Sequence, residues 1–308
     1  TARGLWVAYV GMTGALVVLL LAGGMDLLEA LMHAFGTLAT GGFSSRSASI
    51  GAFGSLYIET VITVFMLISG ISFALHYRIL ARQQIRPVLR SEEVRLYLTI
   101  FFLFAAAITV SLVWSERYGS IGEALRAATF QTAAILTTTG YGTADFDRWP
   151  DFCRYLLVLL MFLGGCAGST AGGVKIVRLL VVARHAGTEL KKLISPAIVQ
   201  PVTLGGHAVP ESTIRAILGF FLLYISTIVV ATMLTLATGV DLITGVSAVI
   251  AAMNSIGPGL GLVGPAGHYG ELPDACKWIL SLCMIVGRLE IYTVLVLFTP
   301  HFWRLAPD

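Results

Sequence analysis

The chain has 308 residues and a net charge of +3; 56% of its residues are hydrophobic and only 12% are charged. Soluble domains carry about 25% charged residues, so this balance excludes an ordinary soluble enzyme and a nucleic-acid-binding module. The four cysteines, Cys153, Cys166, Cys276 and Cys283, lack CxxC spacing and read as small apolar packers rather than metal ligands.

Residues 5–25 form the first uncharged run, long enough as a helix to cross a hydrocarbon core of about 30 Å. The run is longer than a signal-peptide core and lacks a cleavage site. A shorter helix follows over 26–38, opened by Asp26-Leu-Leu-Glu29, which resembles a capping box. It leads into Ala39-Thr-Gly-Gly-Phe43, and a long helix over 57–80 closes the unit. The same order then returns. A long helix over 96–114 precedes a short one over 120–136 with the capping box Ser120-Ile-Gly-Glu123. Thr138-Thr-Gly-Tyr-Gly142 comes next, then a long segment over 154–183. The third round runs 215–240, then 241–254 capped by Asp241, then Ser255-Ile-Gly-Pro-Gly259, then 275–299. The expected organisation is three M1–P–M2 units (long helix, short pore helix, long helix) over 1–90, 91–195 and 196–308 of an all-α integral membrane protein.

Charge orients the chain. Arg78, Arg82, Arg86, Arg90 and Arg95 lie between the first two units, and Lys175, Arg178, Arg184, Lys191 and Lys192 between the second and third. With Arg3, Arg215 and Arg304 they make 13 of the 20 basic residues, and the positive-inside rule puts them in the cytoplasm. Glu59, Glu116, Asp145, Asp147, Asp151, Glu271 and Asp274 then face outward, and a negative vestibule there would concentrate cations.

The three Gly-containing stretches occupy equivalent places, each after a short helix and before an outward loop. A potassium filter needs backbone carbonyls that replace the water around the ion. Its strand needs backbone angles that Gly adopts at little steric cost, and non-helical backbone at membrane depth survives only where protein or a pore covers it. The carbonyl ends of the short helices would favour a cation there. The candidate ion-binding residues are Thr40, Gly41 and Gly42; Thr139, Gly140 and Tyr141; and Ile256, Gly257 and Pro258, with K+ at Gly41, Gly140 and Gly257.

Five of the ten residues over 164–173 are Gly. Gly costs a helix interior about 1 kcal/mol relative to Ala, so this cluster should break the helix mid-membrane. Two readings follow: a small-residue packing face, or a flexible plug below the filter. The plug reading makes Gly164, Gly165, Gly168, Ser169, Thr170, Gly172, Gly173 and Lys175 gate residues, with Arg288 beside them. Arg288 sits in an apolar segment, where a charge costs at least ~2.5 kcal/mol and marks function by default. Its expected partners are carbonyls of the 164–173 loop. His33 and His268 read as ordinary pore-helix and loop residues.

These motifs resemble the Trk/Ktr/HKT superfamily of potassium-uptake proteins. The three stretches resemble that family's filter sequences, 164–175 its Gly-rich intramembrane loop, and Gly287-Arg-Leu-Glu290 its signature in the last closing helix. The resemblance spans about residues 5–304. It implies a pseudo-fourfold pore in which 1–90, 91–195 and 196–308 are the second, third and fourth repeats. The first repeat then has no counterpart here, and residue 1 is Thr rather than Met, so a fragment is expected. Ala39 stands where the family often has Thr, and Ser255 where it often has Asn. The resemblance further implies K+ uptake, with Na+ as a second candidate ion, no covalent cofactor, and a multi-pass position in the cell inner membrane. It also implies a homodimer and a cytoplasmic nucleotide-binding regulatory subunit (TrkA-like), with membrane lipid as the surrounding partner.

Two rivals remain. A secondary ion-coupled transporter with broken helices would explain the 164–173 break but needs no repeated filter strand. An intramembrane enzyme would need paired acids or Ser/His within the helices; no GxSxG, HExxH or GxxxxGK[ST] motif is present, and the expectation is that the chain is not an enzyme.

Overall fold

The computed structural model describes residues 2–84, 86–195 and 200–304. The first unit comprises α1 (Ala2–Ala22), the short α2 (Leu27–Leu38), α3 (Leu56–Ser69), α4 (Phe73–Arg82) and α5 (Arg86–Arg90). The second comprises α6 (Glu92–Trp114), the short α7 (Ile121–Leu136), α8 (Asp151–Met161) and α9 (Ile176–Ile194). A two-stranded hairpin, β1 (Thr203–Leu204) and β2 (His207–Ala208), leads into the third: α10 (Glu211–Leu236), the short α11 (Leu242–Met253), α12 (Asp274–Arg288), α13 (Ile291–Val296) and α14 (Pro300–Arg304). Among the described residues, α1, α6 and α10 are each long and apolar enough alone to cross a membrane.

Side-chain caps start the short helices where the sequence places them. Asp26 accepts from Glu29 N, Ser120 from Glu123 N and Asp241 from Thr244 N, satisfying amides that have no partner in the first turn. Their positions differ in enclosure. From Phe130 to Leu136 every residue of α7 is buried, whereas Leu28, Met32, Phe35 and Ala39 form an exposed stripe on α2. The second unit therefore lies in the middle of an arc, with the first and third flanking it. The opening helices agree: 39% of the apolar window of α6 is buried, against 22% for α1 and for α10.

The first and third closing helices differ from the expectation, while the second breaks around 164–173 as its glycines predict. The segment 57–80 is not one span; α3 stops at Ser69 and α4 departs at 105°. Gly70 fits this break because a Cβ there would run into the Tyr97 hydroxyl. The segment 154–183 breaks between Met161 and Ile176. The segment 275–299 also breaks: α12 ends at Arg288, and Glu290 takes φ 63° before α13 begins. Arg288 therefore terminates a helix instead of lying inside a continuous one. A helix end frees carbonyls and turns the chain toward the axis, which a straight span cannot do.

Candidate ion-conduction site

Each short helix ends in a tight reversal closed by a bond from the amide five residues on, and the first two carry a second bond from the next amide. Gly36 O accepts from Gly41 N (2.7 Å) and Gly42 N (3.3 Å), and Ala134 O accepts from Thr139 N (2.9 Å) and Gly140 N (3.0 Å). Ala251 O accepts from Ile256 N at 2.9 Å. Backbone angles repeat in step: φ is 52° at Thr40, 54° at Thr138 and 55° at Ser255, then 67° at Gly42, 78° at Gly140 and 105° at Gly257. The repeat-equivalent of Gly140 and Gly257 is therefore Gly42, and the expected alignment on Gly41 is off by one residue. The sequence misled because Gly41-Gly42 offers two glycines and only the backbone angles choose between them.

The stretches pack against one another in order. A Cβ on Gly42 would strike the carbonyl oxygen of Thr139, and one on Gly140 would strike that of Ile256. A Cβ on Gly257 would meet nothing within 4 Å. Two strand junctions are closed and the third flank is open. Gly42, Gly140 and Pro258 together line a cavity of about 250 Å³ at the outer mouth. The Gly257 carbonyl accepts from Tyr269 Oη at 2.5 Å.

Side chains outside the strands fix them. Tyr141 is fully buried and donates its hydroxyl to His33 O at 3.2 Å. His33 is also fully buried and joins Glu29 O (2.7 Å) to Ser44 Oγ (2.9 Å), just beyond the first stretch. Sequence reasoning missed this role, since one His in a short helix carries no spacing signal. His268 lies in an outer loop, 3.6 Å from Glu271. Five of the seven acids expected to face outward pair with Lys or Arg: Glu59 with Arg126, Asp145 with Arg148, Asp147 and Asp151 with Arg154, and Asp274 with Lys277. The expected negative vestibule is thus largely neutralised locally.

Below the strands lies the 164–173 loop. Thr170 Oγ1 donates to Leu38 O (2.8 Å), Thr40 Oγ1 donates to Thr170 O (3.0 Å), and Gly172 N donates to Thr138 Oγ1 (2.6 Å). A Cβ on Gly172 would strike Asn254 O. The loop therefore touches the inner ends of all three short helices. Gly164 N donates to Val174 O (2.9 Å), closing its neck, and Cys166 N donates to Gly70 O (2.8 Å). These backbone contacts make it an ordered loop, unlike a helical packing face.

Two cations hold the plug. Lys175 Nζ donates to Ala171 O (2.5 Å) and lies 3.4 Å from Ser169 Oγ. Arg288 Nη1 donates to Thr170 O at 3.3 Å, the same carbonyl that Thr40 reaches. They line a cavity of about 380 Å³ with Gly173, Asn254 and Glu290. Glu290 pairs with Arg178 at 2.7 Å, and Arg178 stacks 4.1 Å over the Phe220 ring. Gly165 and Gly168 sit at the rim, where Gly165 abuts Gly70 O and Gly168 O accepts from Phe73 N (3.0 Å). Asn254 was not singled out from the sequence, where it resembles an ordinary helix-end polar residue, and Arg178 was read only as an orienting charge.

Residues 1–305 match the family model described as TrkH, cation transport protein. The Trk system potassium uptake protein TrkH of Escherichia coli (strain K12) is 40% identical over 304 residues, covering 99% of this chain and 62% of that protein. TrkG of the same strain, also named a Trk system potassium uptake protein, is 34% identical over 304 residues, with the same coverage. The crystal structure of the potassium transporter TrkH from Vibrio parahaemolyticus superposes with a TM-score of 0.93 at 40% identity, covering 99% of this chain and 65% of that one. The chain thus spans about 62% of the length of these curated relatives. With its broken helices, matched reversals and plug, it is a multi-pass membrane protein that belongs to the TrkH cation transport family.

Proposed function

We propose that this chain carries the conduction pathway of a potassium-uptake protein of the cell inner membrane. The single observation behind this reading is the strand geometry: three reversals share one backbone pattern, and two of their glycines leave room only for a neighbouring strand's carbonyl. Such strands can present carbonyls to a dehydrated cation. K+ is the ion, with Na+ as the competitor against which selectivity is measured. The open flank at Gly257 and the bare stripe on α2 fit a fourth strand that completes the ring. No covalent step and no covalent cofactor enter the cycle.

The plug is the gate. It occupies the space directly under the strands, and the fixed charges of Lys175 and Arg288 oppose a passing cation. The assembly is a homodimer, and a cytoplasmic nucleotide-binding subunit of the TrkA type docks on the basic inner face. The relatives' names as potassium-uptake proteins support the choice of ion. The test is uptake by the full-length protein in cells stripped of their own K+ transport. Growth at low K+ with concentration-dependent rubidium uptake is expected; uptake tied to an organic substrate, or none, would overturn the reading.

A further inference from the structure

Among the side chains that tie the plug to its surroundings, one is acidic. Glu93, in the first turn of α6, points a single carboxylate oxygen at two amides ten residues apart. Its Oε1 accepts from Ala167 N at 2.6 Å and from Val177 N at 3.2 Å. Ala167 lies in the plug, and Val177 lies in the first turn of α9, where an amide has no partner within its own helix. The segment between these anchors contains Thr170, Gly172 and Lys175, the residues that reach the inner ends of the strands and their own carbonyl neighbours. One side chain therefore ties the loop at Ala167 to the start of α9 at Val177.

We propose that Glu93 is a positioning residue that clamps the plug in its closed arrangement; this rests on the gate reading above. A charged acceptor that bridges two amides is a strong local tie, and here it is held by a long helix that stays put while the loop moves. Losing it frees the 167–173 segment to swing from the axis while its neck at Leu163 and Val174 remains joined. Glu92, one residue earlier, faces different partners: Arg184 at 3.1 Å and Gly205 N at 3.2 Å. It belongs to the cytoplasmic hairpin contact and not to the clamp, which makes it the control.

The experiment measures rubidium flux through the full-length protein in liposomes. It also measures the labelling rate of Cys166, buried beside Ala167, by a water-soluble thiol reagent, read by peptide mass mapping. Glu93→Ala should raise both by about tenfold, the scale of losing a charge-assisted hydrogen-bonded pair. Glu93→Gln, which keeps an acceptor oxygen, should return most of the protection. Glu92→Ala should leave Cys166 as in the parent. If Glu93→Ala aggregates, Glu93→Asp, too short to bridge both amides, should give the same increase. Unchanged or lower flux and unchanged labelling in the Glu93 variants, alongside raised flux on shortening the plug, would overturn the clamp and leave the gate standing. Equal Cys166 exposure in Glu92→Ala would also overturn it, as general loosening of α6. No rise in flux on shortening the plug itself would instead remove the gate reading.

Discussion

At Gly140 even a methyl group would meet the Ile256 carbonyl, and the backbone there has φ 78°. Gly140→Ser must therefore push a neighbouring strand while leaving the helices alone. We expect K+ over Na+ discrimination, measured as relative uptake, to fall about tenfold, equivalent to about 1.4 kcal/mol of relative binding. The one-residue shift gives a sharper comparison. A Cβ on Gly41 would meet the Phe43 ring and Gly36 O at ordinary contact distance, whereas one on Gly42 would strike Thr139 O. Gly41→Ala should keep its discrimination and Gly42→Ala should lose it; the reverse result would restore the alignment read from sequence. Arg288 faces the loop carbonyl that also serves Thr40. Arg288→Ala should raise rubidium flux at matched expression, and Arg288→Lys should fall between, because an ammonium lacks the planar five-donor fork. At this scale the sequence exposed what composition makes conspicuous: glycines after short helices and a lone charge in apolar surroundings. It hid Glu93, His33 and Asn254, whose roles come from partners distant in the chain.

The short helices were legible as elements, because capping residues and an abrupt Gly-rich end bracket each of them. The breaks in the first and third closing helices were not. Gly70-Ile-Ser72 and Leu289-Glu290 lack the glycine density that marks 164–173, and tertiary contact, not propensity, bends them. Shortening the 164–173 plug by several residues should raise flux without changing K+ over Na+ discrimination, since its contacts end at the inner side of the strands. Lower or unchanged flux from a normally inserted variant would count against the gate. Another element-level tie is the bidentate pair Arg126–Glu59 (2.6 and 2.7 Å), which pins α7 to α3 with Glu59 almost fully buried. Glu59→Ala leaves the guanidinium without its partner. It should destabilise the protein by about 2 kcal/mol, read as a lower melting temperature in detergent, and Glu59→Gln should cost less.

Across the whole molecule, the three units form an arc whose middle member is enclosed and whose outer flanks are bare. Repetition of the pattern made the membrane class readable from sequence. Their arrangement around one axis followed only from which glycine faces which carbonyl. Whether the three reversals surround one cation path is decided by anomalous scattering from rubidium in crystals of the full-length protein. Ordered peaks are expected on the line enclosed by residues 40–42, 138–140 and 255–257, above Thr170, and should weaken when Na+ replaces rubidium. Peaks confined to the outer loops, or a rubidium-free line between the strands at saturating concentration, would contradict it.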